Sequence, residues 1–262
     1  MILRRVIDRT GEINYNNFGS KMEIIKYENN ENIDVYFPQY NWIAKHKSYV
    51  EFKKKTIKCL YEPRVFNIAY VGDGKYVTKE NNKQTASYSS WKDMLRRCYD
   101  SKYHKNQPTY VDCFVCNEWL NFQNFAKWYY ENYYEIEGEV MCLDKDILIK
   151  GNKIYSPNTC VFVPKLINGL FTKRTKNRGN YPIGVSYNKR DKKFISQCCT
   201  YDYKERKTKS KNLGSYNTPE EAFEVYKEFK ENYIKEVADY YKDKIPQRLY
   251  NAMYNYEIEI DD

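Results

Sequence analysis

Between Lys21 and Tyr61, short apolar and aromatic runs are separated by Asn- and Gly-rich breaks. KMEIIKY, NIDVYF and KSYVEFKKKTIKCLY are β-branched or aromatic, which predicts strands and a small β-rich module over residues 1–78. VGDGKY at 71–76 reads as a turn, because its glycines lack the spacing and the following helix of a phosphate loop. The polar stretch 78–90 reads as a linker. Past it the period lengthens. Trp91, Met94, Leu95 and Cys98 recur at helical spacing, and after a short strand near YVDCFVC a second helix carries Trp119, Phe122, Phe125 and Trp128 at steps of three. Leu143–Ile149 and Thr159–Val163 read as strands around a turn at Gly151 and Asn152, with a helix starting at Pro164.

The last third has the clearest pattern. IGVSY (183–187), KFISQCC (193–199) and KNLGSY (211–216) predict three short strands with charged turns. Thr218-Pro219-Glu220-Glu221 is a capping box with proline at the first helical position, and a long helix follows. Its stripe of Ala222, Val225, Tyr226, Phe229, Tyr233, Ile234, Val237 and Tyr241 covers one sheet face and leaves the other open. Along the second of these strands, Phe194, Ser196 and Cys198 point toward that helix, and Lys193, Ile195 and Gln197 away from it. The segment YNAMYNYEIEIDD is expected to add a last helical turn and an acidic end. The fold class expected is α+β in three modules, 1–78, 79–175 and 176–262.

Composition changes the picture little; charge distribution changes it more. With 29 Tyr in 262 residues the cores lean on aromatic rather than aliphatic side chains. No apolar run approaches a membrane span and the start lacks a secretory pattern, so a cytoplasmic protein with no membrane partner is expected. The 8 Cys are then expected as reduced thiols, and the lone CxxC of Cys113 and Cys116 falls short of a tetrahedral zinc site. Residues 165–217 carry 14 Lys and Arg against 3 Asp and Glu, whereas 218–262 carry 6 against 12. A basic segment this dense, rich in Tyr and Asn, suits a polyanion, since neutralising phosphates releases condensed counterions.

The ββα order around LDKDI and YSPNTC, with WKDMLRRCYDSKY and VCNEWLNFQNFAKWY before it, resembles phage-encoded HNH homing endonucleases that read LDRID followed by YSPxNCR. The likeness covers about residues 88–173. It implies a divalent metal, Mg²⁺ or another, held by Asp144 and by Asn168 on the helix, with Asn158 as the orienting residue. The position of the water-activating histidine is Lys145; the steps are 13 residues to Asn158 and 10 more to Asn168. A lysine of ordinary pKa, about 10.4, holds its proton at pH 7 and takes none from water. The chain's histidines, His46 and His104, fall outside the motif. Two readings stay open for this module, a specialised nuclease and a DNA-binding relic.

The segments GV, KF, LGSY and TPEEAFEVYKEF carry a second likeness. They resemble the YRGV, GKW, LGTF and TAEEAAxAYD landmarks of the plant ethylene-response-factor (Apetala-type) DNA-binding domain, which is also found fused to phage HNH nucleases. That family lays its sheet in the major groove. The resemblance implies a DNA face of Ser186, Asn188, Arg190, Lys193, Gln197, Ser210, Lys211 and Asn212. Ser, Asn and Gln stand here where the family has base-reading Arg and Trp. The expected function is sequence-selective binding of double-stranded DNA by a phage or mobile-element protein in a bacterial host, with weak metal-dependent nicking if the HNH-like core acts. The alternative is a non-catalytic interaction protein that inhibits a host nucleic-acid or defence machine, with a host protein or nucleoprotein complex as partner.

Overall fold

A computed structural model describes residues 7–172, 180–202 and 207–260. The protein is α+β, with helices alongside antiparallel sheets. It packs as two compact units: one runs to Glu131 and takes in Lys153–Ser156, the other holds Asn132–Asn152 and the chain from Pro157 onward. The expected middle module is therefore divided, residues 79–131 joining the first unit and most of its ββα segment the second.

In the first unit, β1 (Ile13–Tyr15), β2 (Lys21–Asn29), β3 (Asn32–Phe37) and β4 (Trp42–Lys47) form an antiparallel sheet in chain order. Alternate residues Met22, Ile24, Ile33, Val35 and Phe37 build its core, closed by Phe52, Ile57 and Cys59. The third strand expected over KSYVEFKKKTIKCLY is instead α1 (Tyr49–Lys53) at its start. Ser48 accepts from the Glu51 N–H while the Glu51 carboxylate accepts from the Ser48 N–H, and a cap of this kind stabilises a helix by about 1 kcal/mol. The local cap outweighs the β propensity of Tyr49 and Val50.

The expected linker is also structured. β5 (Lys79–Glu80) and β6 (Lys83–Gln84) make a hairpin whose corner residues Asn81 and Asn82 have φ 48° and 62°, the signs a type I′ turn needs. α2 (Ala86–Tyr99) buries Trp91, Met94, Leu95 and Cys98 as its period requires. α3 (Ser101–Asn106) and β7 (Phe114–Val115) follow, and then α4 (Phe122–Asn132). Trp119 lies in a 3₁₀ turn just before α4, where its carbonyl accepts from the indole N–H of Trp91 at 2.7 Å. VGDGKY is the turn it reads as. It closes around Gln123, whose amide takes the Tyr76 N–H and donates to the Tyr76 carbonyl.

The second unit opens with β8 (Met141–Asp144). β9 (Ile154–Tyr155) belongs to the first unit, where it runs parallel to β7. β10 (Val161–Pro164) pairs antiparallel with β8, Val161 opposite Asp144, and α5 (Lys165–Leu170) follows at once. The ββα order is present, but the first strand stops at Asp144, short of the expected Ile149. Its residues after Asp144 turn away, for reasons given below.

β11 (Val185–Asn188), β12 (Lys193–Asp202) and β13 (Lys207–Tyr216) form the three-stranded antiparallel sheet, with β12 central. α6 (Pro219–Tyr241) begins at the Thr218 capping box, and α7 (Gln247–Tyr254) packs back on it. Ala222, Tyr226, Tyr233, Ile234, Val237 and Tyr241 are buried as the stripe demands. Phe223 and Ala238 are buried too, because α6 packs on both the sheet and α7 and needs a wider apolar arc than the sheet alone. Gly184, at φ +78°, lets the backbone enter β11 against the ring of Tyr226; a Cβ there would overlap that ring.

Candidate functional site

The HNH-like segment gathers its polar side chains on itself. Asp144 ends β8, and its Oδ1 accepts the backbone N–H groups of Asp146 at 2.9 Å and Ile147 at 2.8 Å. This carboxylate-capped turn is what halts the strand, since the chain satisfies its own donors and has none left for a ladder. Burial, and then the nearby Asp146 carboxylate, push the Asp144 carboxyl up to about 6 against those two donors and Lys145. Lys145 is 7% exposed. Its Nζ donates to the Asn152 carbonyl at 2.9 Å and to Asp146 at 3.2 Å, while the Asn152 amide donates back to the Lys145 carbonyl at 2.7 Å. Lys145 thus fastens both ends of the 145–152 loop.

Neither Asn158 nor Asn168 hydrogen-bonds to that staple among the described residues. Asn158 is exposed in a turn, and Asn168 is half-buried in the middle of α5. Among the described residues no three His, Cys, Asp or Glu side chains gather into a cation cage. The oxygens on offer are the carboxylates of Asp144, one oxygen of which takes two N–H groups, and of Asp146, which takes the Lys145 ammonium, with the amide of Asn168. Mg²⁺ is held by one or two carboxylates and several waters, and the Lys145 ammonium beside these two opposes a second cation there. In the first unit, His104 Nε2 sits 2.8 Å from the Arg97 carbonyl and His46 Nδ1 3.0 Å from Asn32 Oδ1. Cys113 is buried and Cys116 half-buried, neither in a cluster of metal-ligating side chains among the described residues.

The C-terminal sheet does the opposite. One face, Val185, Ser196 and Cys198, is buried against α6. On the other face, register places Ser186, Ile195 and Ser215 in one row, Gln197 opposite Asn212 in the next, and Cys199 opposite Ser210 in the third. Gln197, Cys199, Ser210, Asn212 and Ser215 are exposed, and Ser186 and Ile195 half-buried. Beyond the last β11 pair the sheet continues as a two-stranded β12–β13 ribbon. A groove of about 640 Å³ opens beside β12, bordered by Gln197 and Ser210 on the sheet and by Leu166 and Leu170 of α5.

Among the described residues, cations stand at the end of this face or behind it. Arg190 is in the β11–β12 turn, its Nε 2.8 Å from Asp191, and Asn188 caps the same turn by accepting the Arg190 N–H. Lys193, at the start of β12, donates to Asn217. Lys209 pairs with Asp202 at 2.7 Å and, opposite Thr200, lies on the helix side. Lys211 corrects the expectation: it lies opposite Cys198 and sets its ammonium 4.6 Å above the ring of Phe229 on α6, on the helix side of the sheet. Ser210, Lys211 and Asn212 are consecutive, so strand alternation cannot point all three one way. Sequence reading missed Cys199 and Thr208, which alternation carried on from Gln197 and Ser210 places on the open face. The basic positions Lys173, Arg174, Lys176, Arg178, Lys204 and Arg206 lie outside the described residues.

Comparisons against protein-family models, curated proteins and solved structures find no match to this chain. Fold and face define the class directly: an α+β protein whose C-terminal three-stranded sheet is backed by one long helix and open on its polar side. Among the described residues no helix is long and apolar enough to cross a membrane.

Proposed function

We propose that this protein binds double-stranded DNA through the open face of β11–β13, and that the HNH-like segment serves as a structural base for that face and does not cut. The observation that carries the reading is an exposed polar sheet face, backed by a packed helix, inside a segment holding 14 Lys and Arg against 3 Asp and Glu. A twisted ribbon of two strands fits the major groove, and the surrounding cations suit phosphates. The buried Lys145 ammonium, held on Asn152 and Asp146 beside Asp144, supports the non-cutting part, because a held cation takes no proton from water and disfavours a metal ion next to it. The setting is a phage or mobile-element protein acting in the cytoplasm of a bacterial host.

Binding of a duplex across a salt series tests this. The logarithm of affinity is expected to fall linearly with the logarithm of salt, and removing Arg190 and Lys193 together is expected to flatten the slope by roughly one for each phosphate no longer neutralised. Supercoiled plasmid is expected to stay intact with Mg²⁺ or Mn²⁺ while bound. A salt-independent affinity, or none, refutes the binding; metal-dependent nicks that vanish in Asp144→Ala refute the non-cutting part.

A further inference from the structure

The open face is as informative in what it lacks as in what it carries. Guanine is read in the major groove by Arg or Lys reaching O6 and N7 together. Here, among the described residues, Arg190 is tied to Asp191 in a turn and Lys193 to Asn217 at the start of β12, while Lys209 and Lys211 lie on the helix side, on Asp202 and over Phe229. The middle of the face holds two amides, an isoleucine and small hydroxyls.

Those groups match a different base pair. Gln and Asn bond the N6 and N7 edge of adenine with one donor and one acceptor, and apolar side chains meet the thymine methyl. Gln197 and Asn212 are exposed and directly opposite each other across β12 and β13. Opposite residues stand about 5 Å apart, against about 3.4 Å per base step, so the two amides can address neighbouring base pairs. The Gln197 side chain makes no hydrogen bond among the described residues. Asn212 Oδ1 accepts the Gly214 N–H at 2.9 Å, which steadies the side chain and leaves the oxygen's second lone pair and the two amide protons for a base edge. In the adjoining row the half-buried Ile195 stands between Ser186 and Ser215, whose short side chains leave part of the aliphatic group accessible.

We infer that this face selects A·T base pairs in the major groove, with Gln197 and Asn212 on adenine edges and Ile195 against thymine methyl groups. The inference rests on the DNA-binding reading above and names its substrate class.

Selection from a random duplex pool with the full chain tests it. Wild type is expected to enrich A·T-rich sequences. In a selected duplex, replacing adenine by 7-deazaadenine, which removes N7, is expected to weaken binding about tenfold, and replacing thymine by uracil to weaken it several-fold. Gln197→Ala with Asn212→Ser is expected to weaken binding of the selected A·T duplex about tenfold and to remove the compositional bias from the selection; the serine hydroxyl still accepts the Gly214 N–H. Enrichment without A·T bias, G·C bias, or indifference to both base analogues overturns the inference and leaves DNA binding standing. No enrichment of any duplex overturns both. Enriched A·T sequences indifferent to 7-deazaadenine and uracil point to the minor groove and also overturn it.

Discussion

Lys145 and Gln197 lie in the same unit, and their surroundings divide that unit into two kinds of region. Around Lys145 every polar group closes on a neighbour: ammonium to Asn152 and Asp146, carboxylate of Asp144 to two backbone N–H groups. Around Gln197 the amides, hydroxyls and a thiol stand exposed on a face held rigid from behind by α6. Both segments carried an expectation of DNA handling from their residue order. The difference teaches that residue order fixes backbone shape more firmly than it fixes what surrounds a side chain.

The hardest way to break the comparison is to remove the rigid backing. Gly184→Ala puts a methyl group into the Tyr226 ring and forces an alanine to φ +78°. We expect a loss of about 3 kcal/mol or more in urea unfolding, and loss of DNA binding with it. A loss below about 1 kcal/mol would mean that the sheet is not seated on α6 as described.

Lys145→Met tests the staple directly. The methionine keeps the buried stem but leaves the Asn152 carbonyl without its charged donor, for an expected cost of about 2 kcal/mol. Gln197→Ala, at an exposed position, is expected to change stability by less than about 0.5 kcal/mol. Similar stability changes in both variants would erase the distinction between the regions.

Acidity gives a finer test. The folded-state carboxyl of Asp144 titrates at about 6, above the ordinary aspartate value of 3.8, so the folded protein holds this proton more tightly than the unfolded chain. The sign follows: this group favours folding below about pH 4, and that advantage is lost as pH rises through 6. Asp144→Asn retains an acceptor for the two N–H groups. It is expected to be more stable than wild type at pH 7.5, by about 1 to 2 kcal/mol after solvent screening, and no more stable at pH 4. A difference that does not change with pH would contradict the assigned burial.

How far the sequence could be read depended on whether local or cross-strand chemistry decides the outcome. The α2 stripe and the Thr218 cap act within one or two helical turns, and both were legible. The Ser48 and Glu51 capping box was just as local, but the aromatic and β-branched residues around it favour a strand by propensity. Asp144 ended β8 by turning its carboxylate onto its own backbone, which an apolar run through LDKDILI does not reveal. Asn158 and Asn168 followed from family spacing alone, and neither hydrogen-bonds to Lys145 among the described residues. The open face was legible in kind. Its membership needed the β12–β13 register, with a shift between Ser196 and Gln197 that no periodicity announces.

The central claim is that the sheet, and not the HNH-like segment, meets DNA. A duplex carrying photoreactive 5-iodouracil in place of thymine, cross-linked to the full chain and mapped by mass spectrometry, tests it most directly. The account predicts adducts within Ser186–Ser215, concentrated near Ile195, Gln197 and Asn212. Adducts confined to residues 143–171, or to the first unit, would contradict it.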